Sequence, residues 1–183
     1  MTVIMRVTPR ARSTGAAHYD GRVADQLPSA SAVNRQSILL REARCEDVPE
    51  IVALLADDVL GAGREGPADA AYFAAFDQIE ADPRSHLLVA EVDGRVVGTL
   101  QLTTLPGLSR HGLLRGQIEA VRVAAGQRGQ RLGRLMIEWA IEAARTQGCG
   151  LVQLTSDKQR PDAIRFYESL GFTASHEGLK RPL

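Results

Sequence analysis

Residues 117–133 read Gln-Ile-Glu-Ala-Val-Arg-Val-Ala-Ala-Gly-Gln-Arg-Gly-Gln-Arg-Leu-Gly, an apolar run that passes through a glycine-rich basic loop into a helical pattern. Such a junction attracts anions, because the first amides of a helix have no intrahelical acceptor and lie at the positive end of its dipole. Gly126, Gly129 and Gly133 let backbone approach closely, and Arg128, Arg131 and Arg134 add positive side chains. The chemistry this suits is the holding of phosphate groups. Two further features stand out: Glu119, a charge inside the apolar run, and the aromatic-rich segment Ala-Ile-Arg-Phe-Tyr-Glu-Ser-Leu-Gly-Phe at 163–172, which contains Tyr167.

Positioning these residues requires a strand, a loop and a helix in that order, and the surrounding pattern supplies them. Leu132, Leu135, Met136, Trp139, Ala140 and Ala143 repeat at helical spacing, which predicts a helix over about 128–146 anchored by a buried stripe. Strand 117–123 before it and strand 151–155 after it make a parallel crossover. Pro161 and Gly171 bracket a last helix, as N1 and C-terminal cap respectively.

Upstream, a strand at 38–42 leads to a helix that Pro49 starts and that runs to about residue 60, followed by a second helix over 68–79 with Tyr72, Phe73 and Phe76. Strands 86–92 and 95–103 meet at Asp93-Gly94, a dipeptide suited to a tight hairpin. Further strands are expected at 172–176 and 179–181. The fold class expected is a mixed α/β (α+β) sheet, mostly antiparallel, with helices on both faces.

The chain has 183 residues, 22 basic and 22 acidic side chains and a hydrophobic fraction of 44%, which fits one globular domain and disfavours general polyanion binding. Neither nucleic acid nor a membrane is an expected partner, since no apolar run approaches the ~20 residues of a bilayer span. Cys45 and Cys149 lie far apart, so no disulfide framework is expected, and no His or carboxylate cluster has metal spacing. Residues 1–36 are Arg-, Ser- and Ala-rich with no acidic residue before Asp20, which predicts a disordered extension ahead of a domain over 37–183. The Arg-rich start has something of a transit peptide, without the apolar core of a secretory signal. A cytoplasmic location is expected.

With Arg-Gly-Gln-Arg-Leu-Gly opening one helix and Ala163, Phe166, Tyr167, Gly171 and Phe172 on the next, the region 37–183 resembles the GNAT superfamily of N-acetyltransferases. That family's acyl-CoA motif, Q/R-x-x-G-x-G/A, falls on Arg128, Gly129, Gln130, Arg131, Leu132 and Gly133, with Arg131 where a glycine is usual. An L-residue is expected to be comfortable there once the chain is helical, so binding should survive. In the second motif Arg160 stands in the place of an asparagine. The resemblance implies acetyl-CoA as co-substrate, held by the loop residues together with Arg134 and Arg160, with the strand backbone of Ala120, Val121, Arg122 and Val123 holding the pantetheine arm and polarising the carbonyl.

It further implies Tyr167 as the acid that protonates the departing thiolate, a phenol of pKa ~10 being protonated at neutral pH. Glu119, two residues before Val121 and so expected on the same face, is implied as the base for the amine. Without the resemblance, Tyr167 reads equally as a core aromatic and Glu119 as a solvated strand residue. His111, His176 and Asp157 are reserve bases.

The activity implied is acetyl transfer to a primary amine of a small molecule. Alternatives are a protein or peptide N-acetyltransferase and a non-catalytic acyl-CoA-binding regulatory module; a homodimer is left open. Gly-Ala-Gly-Arg-Glu-Gly at 61–66 matches G-x-G-x-x-G literally, but it follows a helical segment and meets Pro67, the wrong context for dinucleotide binding. It reads instead as a loop between two helices, where Asp57, Asp58 and Glu65 could attract a cationic amine.

Overall fold

A computed structural model describes residues 3–5, 37–57 and 61–183. Among these residues six strands form one sheet in sequential order: β1 (Val3–Met5), β2 (Ile38–Glu42), β3 (Ser85–Val92), β4 (Arg95–Leu105), β5 (Arg115–Val123) and β6 (Leu151–Leu154). The three pairings from β2 to β5 are antiparallel; β1 with β2 and β5 with β6 are parallel. Among the described residues five α-helical segments accompany them: α1 (Val48–Ala56), α2 (Ala70–Ala81), the short turn α3 (Ser109–Gly112), α4 (Leu132–Thr146) and α5 (Pro161–Glu168).

Strand alternation sorts side chains onto two faces. One carries Leu40, Leu88, Ala90, Leu100, Leu102 and Ile118, and against it α4 lays Leu132, Met136, Ile137, Ala140 and Ala144, all buried. Gly98 makes this contact possible, since a Cβ there would come within 2.8 Å of the Met136 sulfur. The other face holds Leu87 against Val48 and Val52 of α1 and Phe76 of α2. Helices therefore flank both faces, as the sequence pattern implies.

The β3–β4 hairpin turns at Asp93 (φ 51°) and Gly94 (φ 78°), the paired left-handed residues of a type I′ turn. Residues 45–47 form a 3₁₀ turn before α1. Its buried Asp47 takes a bidentate fork from Arg41 (2.6 and 2.9 Å) and the Arg44 amide (2.7 Å), while Arg41 Nε reaches Glu91 at 2.9 Å. This ion network ties β2 and β3 to the start of α1. Burial by itself would raise the Asp47 pKa, but the Arg41 fork and the Arg44 amide outweigh it and hold the carboxyl below the usual carboxylate range.

Three expectations need correction. Within the extension expected to be disordered, Val3–Met5 instead pairs with Ile38–Leu40 as an added edge strand; the rest of residues 1–36 lies outside the described residues. The helix predicted to reach residue 60 ends at Ala56, and residues 58–60 lie outside the described residues. No strand forms at 172–176 or 179–181; in the first of these the Ser175 amide turns back onto the Thr173 carbonyl at 2.9 Å and breaks the extended run.

Candidate active site

Strand β5 leaves the sheet at Val123, and the Ala124 amide caps the exit by donating to Val97 O at 2.8 Å. A 3₁₀ turn over Ala125–Gln127 and Gly129 at φ 80° then bring the chain round to α4. Leu135 N bonds to Arg131 O, so the amides of Leu132, Gly133 and Arg134 precede the first bond of the helix and point outward. They border an open groove of about 340 Å³ lined by Val123, Gln127, Arg128, Gly129, Arg131, Leu132, Gly133, Arg134 and Phe166. Gly133 lies against the Phe166 ring, which is 3.5 Å from where a Cβ on Gly133 would stand.

Arg131 departs from expectation. It is the residue before α4, at φ 64° and ψ 3°, in the left-handed region that suits the glycine usual at this place in the motif. An L-residue is strained there, because its Cβ crowds the neighbouring carbonyl.

The loop arginines divide their roles. Arg128, although it lines the groove, commits its guanidinium to the loop: its Nε donates to Val123 O at 3.0 Å, and Nη2 donates to Asp57 O at 2.9 Å and Asp57 Oδ2 at 3.2 Å. Asp57 Oδ2 also accepts from Ala125 N at 3.3 Å. Arg134 borders the groove, its tip reaching Glu138 and Ser169 at 3.4 Å each. Gln130 turns its amide to Gly126 O at 3.2 Å and is not among the lining residues.

Ala120 breaks the regularity of β5. Thr99 pairs with Arg122 and Gln101 with Glu119, so β5 spends one more residue than β4 across this stretch, and the extra residue, Ala120, sits at φ 53°. Such a bulge reverses the alternation. Glu119 therefore faces the same side as Arg122 and the opposite side from Val121, contrary to the expectation that Glu119 and Val121 share a face. The parallel ladder with β6 also stops at Ile118–Leu154, while β5 continues to Val123. Past that point the backbone of Ala120, Val121, Arg122 and Val123 runs on without a β6 partner along that edge, next to the groove.

Tyr167 stands on α5, its ring centroid 5.2 Å from Phe166 and 5.9 Å from Phe172. Pro161 starts this helix with Arg160 as the preceding cap, and Gly171 at φ 88° lets the Phe172 amide bond back to Tyr167 O at 3.2 Å. Burial pushes the Tyr167 phenol up, and the positive charges of Arg122 and Arg160 pull it part of the way back. The phenol is a proton donor at neutral pH.

On the Glu119 side the sheet presents a polar wall. Gln153 Nε2 donates to Gln117 Oε1 at 2.8 Å, Gln101 Nε2 to Thr103 Oγ1 at 3.3 Å, and Thr103 meets Ser85 Oγ at 3.2 Å. Glu119 is exposed at this wall. The loop arginines, Val123 at the end of β5 and Phe166 of α5 thus line one groove, with Tyr167 beside Phe166 on the same helix, while Glu119 lies on the other face of β5 one residue past the end of the β6 ladder.

The reserve bases stand apart from these residues. His111 lies in the exposed turn α3, His176 pairs with its neighbour Ser175, and Asp157 caps Gln159 N. Residues 61–66 form a turn after α1, with Glu65 N bonded to Gly61 O at 3.0 Å, so the glycine string lacks the strand a dinucleotide site needs. Glu65 accepts from the Tyr72 hydroxyl at 2.7 Å, and Asp58 lies outside the described residues. Among the described residues no three His, Cys, Asp or Glu cluster as metal ligands, and no helix is long and apolar enough to cross a membrane.

Sequence reasoning missed the Asp57–Arg128 tie, the polar wall and Gln127 in the groove. The glycine spacing could have found Gln127. Nothing in the order of residues marks the other two, which depend on the packing of α1 and on cross-strand register.

The model of the acetyltransferase (GNAT) family matches residues 48–172. The chain is 33% identical to the aminoalkylphosphonate N-acetyltransferase of Salmonella typhimurium over 140 residues, 75% of this chain and 86% of that protein. It is 37% identical to the glucosamine 6-phosphate N-acetyltransferase of Trypanosoma brucei brucei over 90 residues, 49% of this chain and 59% of that protein. A solved structure described as a transcriptional regulator from Bacillus halodurans C-125 superposes with a TM-score of 0.78 at 48% identity, covering 80% of this chain and 99% of that one.

Proposed function

Since the chain belongs to the GNAT family of acetyltransferases, we propose that it transfers the acetyl group of acetyl-CoA to a primary amine of a small molecule, by direct attack of the amine on the thioester. The observation that carries this reading is the groove in which the outward amides at the start of α4 adjoin the bulged edge of β5. Residues 37–183 are read as one catalytic domain, working in the cytoplasm.

Acetyl-CoA, when bound, supplies the activated acyl group. The amides of Leu132, Gly133 and Arg134 receive its phosphates, with Gly129 giving the approach and Arg131 adding charge from the groove wall. Arg128 acts indirectly, by fixing the loop to Asp57. The backbone from Ala120 to Val123 holds the pantetheine arm and donates to the carbonyl oxygen as charge builds there.

Glu119, from the other face of β5 where the β6 ladder has ended, takes through water the proton that the amine nitrogen loses as the new N–C bond forms. Tyr167 gives its phenolic proton to the sulfur as the C–S bond breaks, and is reprotonated from solvent. Arg122 and Arg160, whose charges act on Tyr167, favour the transient phenolate. Both named relatives act on small amines.

A second reading, a regulatory module that binds acyl-CoA without turnover, is favoured by the regulator with 48% identity. Tyr167 discriminates: binding alone has no need of an acid at the sulfur. The test is thiol release from acetyl-CoA across small amines and N-terminal peptides. Turnover of a small amine supports the proposal, turnover of peptides alone replaces the acceptor class, and tight acetyl-CoA binding with no turnover favours the module.

A further inference from the structure

Arg115 opens β5 on the face that also carries Gln117 and Glu119. Its Nε is buried and has no hydrogen-bond partner among the described residues. One tip of the guanidinium, Nη2, lies 3.8 Å from where a Cβ on Gly107 would stand, beneath the loop that leaves β4. The nearest groups along the polar wall, Gln117, Gln153 and Thr103, are uncharged and already bonded among themselves or to Gln101 and Ser85.

The Arg115 side chain is only partly buried, but its Nε, buried and unpaired, loses a hydrogen bond outright. Its planar fork fits two oxygens of a phosphate, phosphonate or carboxylate. Glu119 stands four residues along the same face, about 13 Å away at ~3.3 Å per residue.

We propose that Arg115 receives an oxyanion carried by the acceptor, so that the substrate is an amine with a phosphate, phosphonate or carboxylate several bonds from its nitrogen. This rests on the acetyltransferase reading of the Glu119 face. Arg115 sets specificity and takes no part in bond making; it holds the far end of the acceptor while Glu119 serves the nitrogen.

The test is calorimetric binding of glucosamine 6-phosphate, 3-aminopropylphosphonate and 4-aminobutanoate against the uncharged glucosamine and butylamine, with wild type, Arg115→Gln and Arg115→Lys. At least one anionic amine should bind tenfold or more tighter than its uncharged counterpart. Arg115→Gln should then weaken that ligand ~10- to 100-fold, as loss of a charge-assisted pair implies, with Arg115→Lys intermediate and the uncharged amines unchanged. Absence of any anionic preference in the wild type overturns the proposal, as does an equal loss for charged and uncharged amines. Acetyl-CoA binding is measured alongside; retention by the variants shows that they fold, and its failure in the wild type contradicts the reading of the groove instead. If Arg115→Gln does not fold, Arg115→Lys decides by the same comparison.

Discussion

Arg128, placed by its motif position to serve phosphate, spends its guanidinium on Asp57, with Nη2 at 2.9 Å from the Asp57 carbonyl and 3.2 Å from its carboxylate. The end of α1 thereby fixes the loop that leads into α4. The pair is about half exposed (54% and 47%), so its worth to global stability is small, roughly 0.2–1 kcal/mol. Its effect should fall on the loop. Asp57→Ala and Arg128→Ala are each expected to raise KM for acetyl-CoA about 3- to 10-fold, with kcat little changed, and the double variant should be no worse than the more impaired single. Steady-state kinetics of the four proteins completes the cycle; additive losses would contradict the tie.

Arg131→Gly should stabilise the protein. The native φ of 64° is strained for arginine and free for glycine, so relief of about 1 kcal/mol should raise Tm by roughly 2–4 °C, less what the more flexible unfolded chain takes back. Arg131→Ala keeps the strain and loses the charge, so it should bind acetyl-CoA more weakly without gaining stability. Scanning calorimetry and titration of the two variants separate conformation from charge.

Tyr167→Phe should lower kcat about 100-fold or more while leaving KM for acetyl-CoA within a few-fold, since the ring packing stays and only the acid is lost. Because burial raises the phenol, the acid form persists past the ordinary tyrosine value. The wild-type rate should therefore fall only as pH rises beyond ~10, and the variant should lack that limb. Glu119→Gln should lower kcat to a similar degree with acetyl-CoA binding intact. A pH–rate profile of the three proteins is the measurement.

Asp47→Asn should destabilise the fold by about 3 kcal/mol at neutral pH, because it leaves the mostly buried Arg41 side chain with a broken fork. The carboxyl is held below its unfolded value, so its stabilisation is complete above about pH 4 and is lost as pH falls through the folded-state value. Urea titrations at pH 7 and pH 3 should show the gap between wild type and variant narrowing in acid. A constant gap would contradict the assignment.

The layout of the site was readable where local chemistry dictates it. Asp93-Gly94 announced the hairpin, the stripe from Leu132 to Ala143 announced α4, and Pro161 with Gly171 bracketed α5. What escaped depends on residues in conformations their types do not advertise. Ala120 in a left-handed bulge turned Glu119 away from Val121, and Arg131 took a glycine's φ ahead of the helix rather than inside it. Val3–Met5 gained its strand from a partner more than thirty residues away, and the segment 172–176 lost its predicted strand to a tight turn at Ser175. Each is decided by pairing or packing beyond the reach of a local pattern.

The most direct test of the account is to mix the intact protein with acetyl-CoA and a panel of small primary amines, then count thiol released against N-acetylated amine formed. The account predicts one thiol per acetylated amine on at least one acceptor, with the rate nearly abolished by Tyr167→Phe. Release of thiol without an N-acetyl product, or tight acetyl-CoA binding with no turnover on any amine, would contradict it.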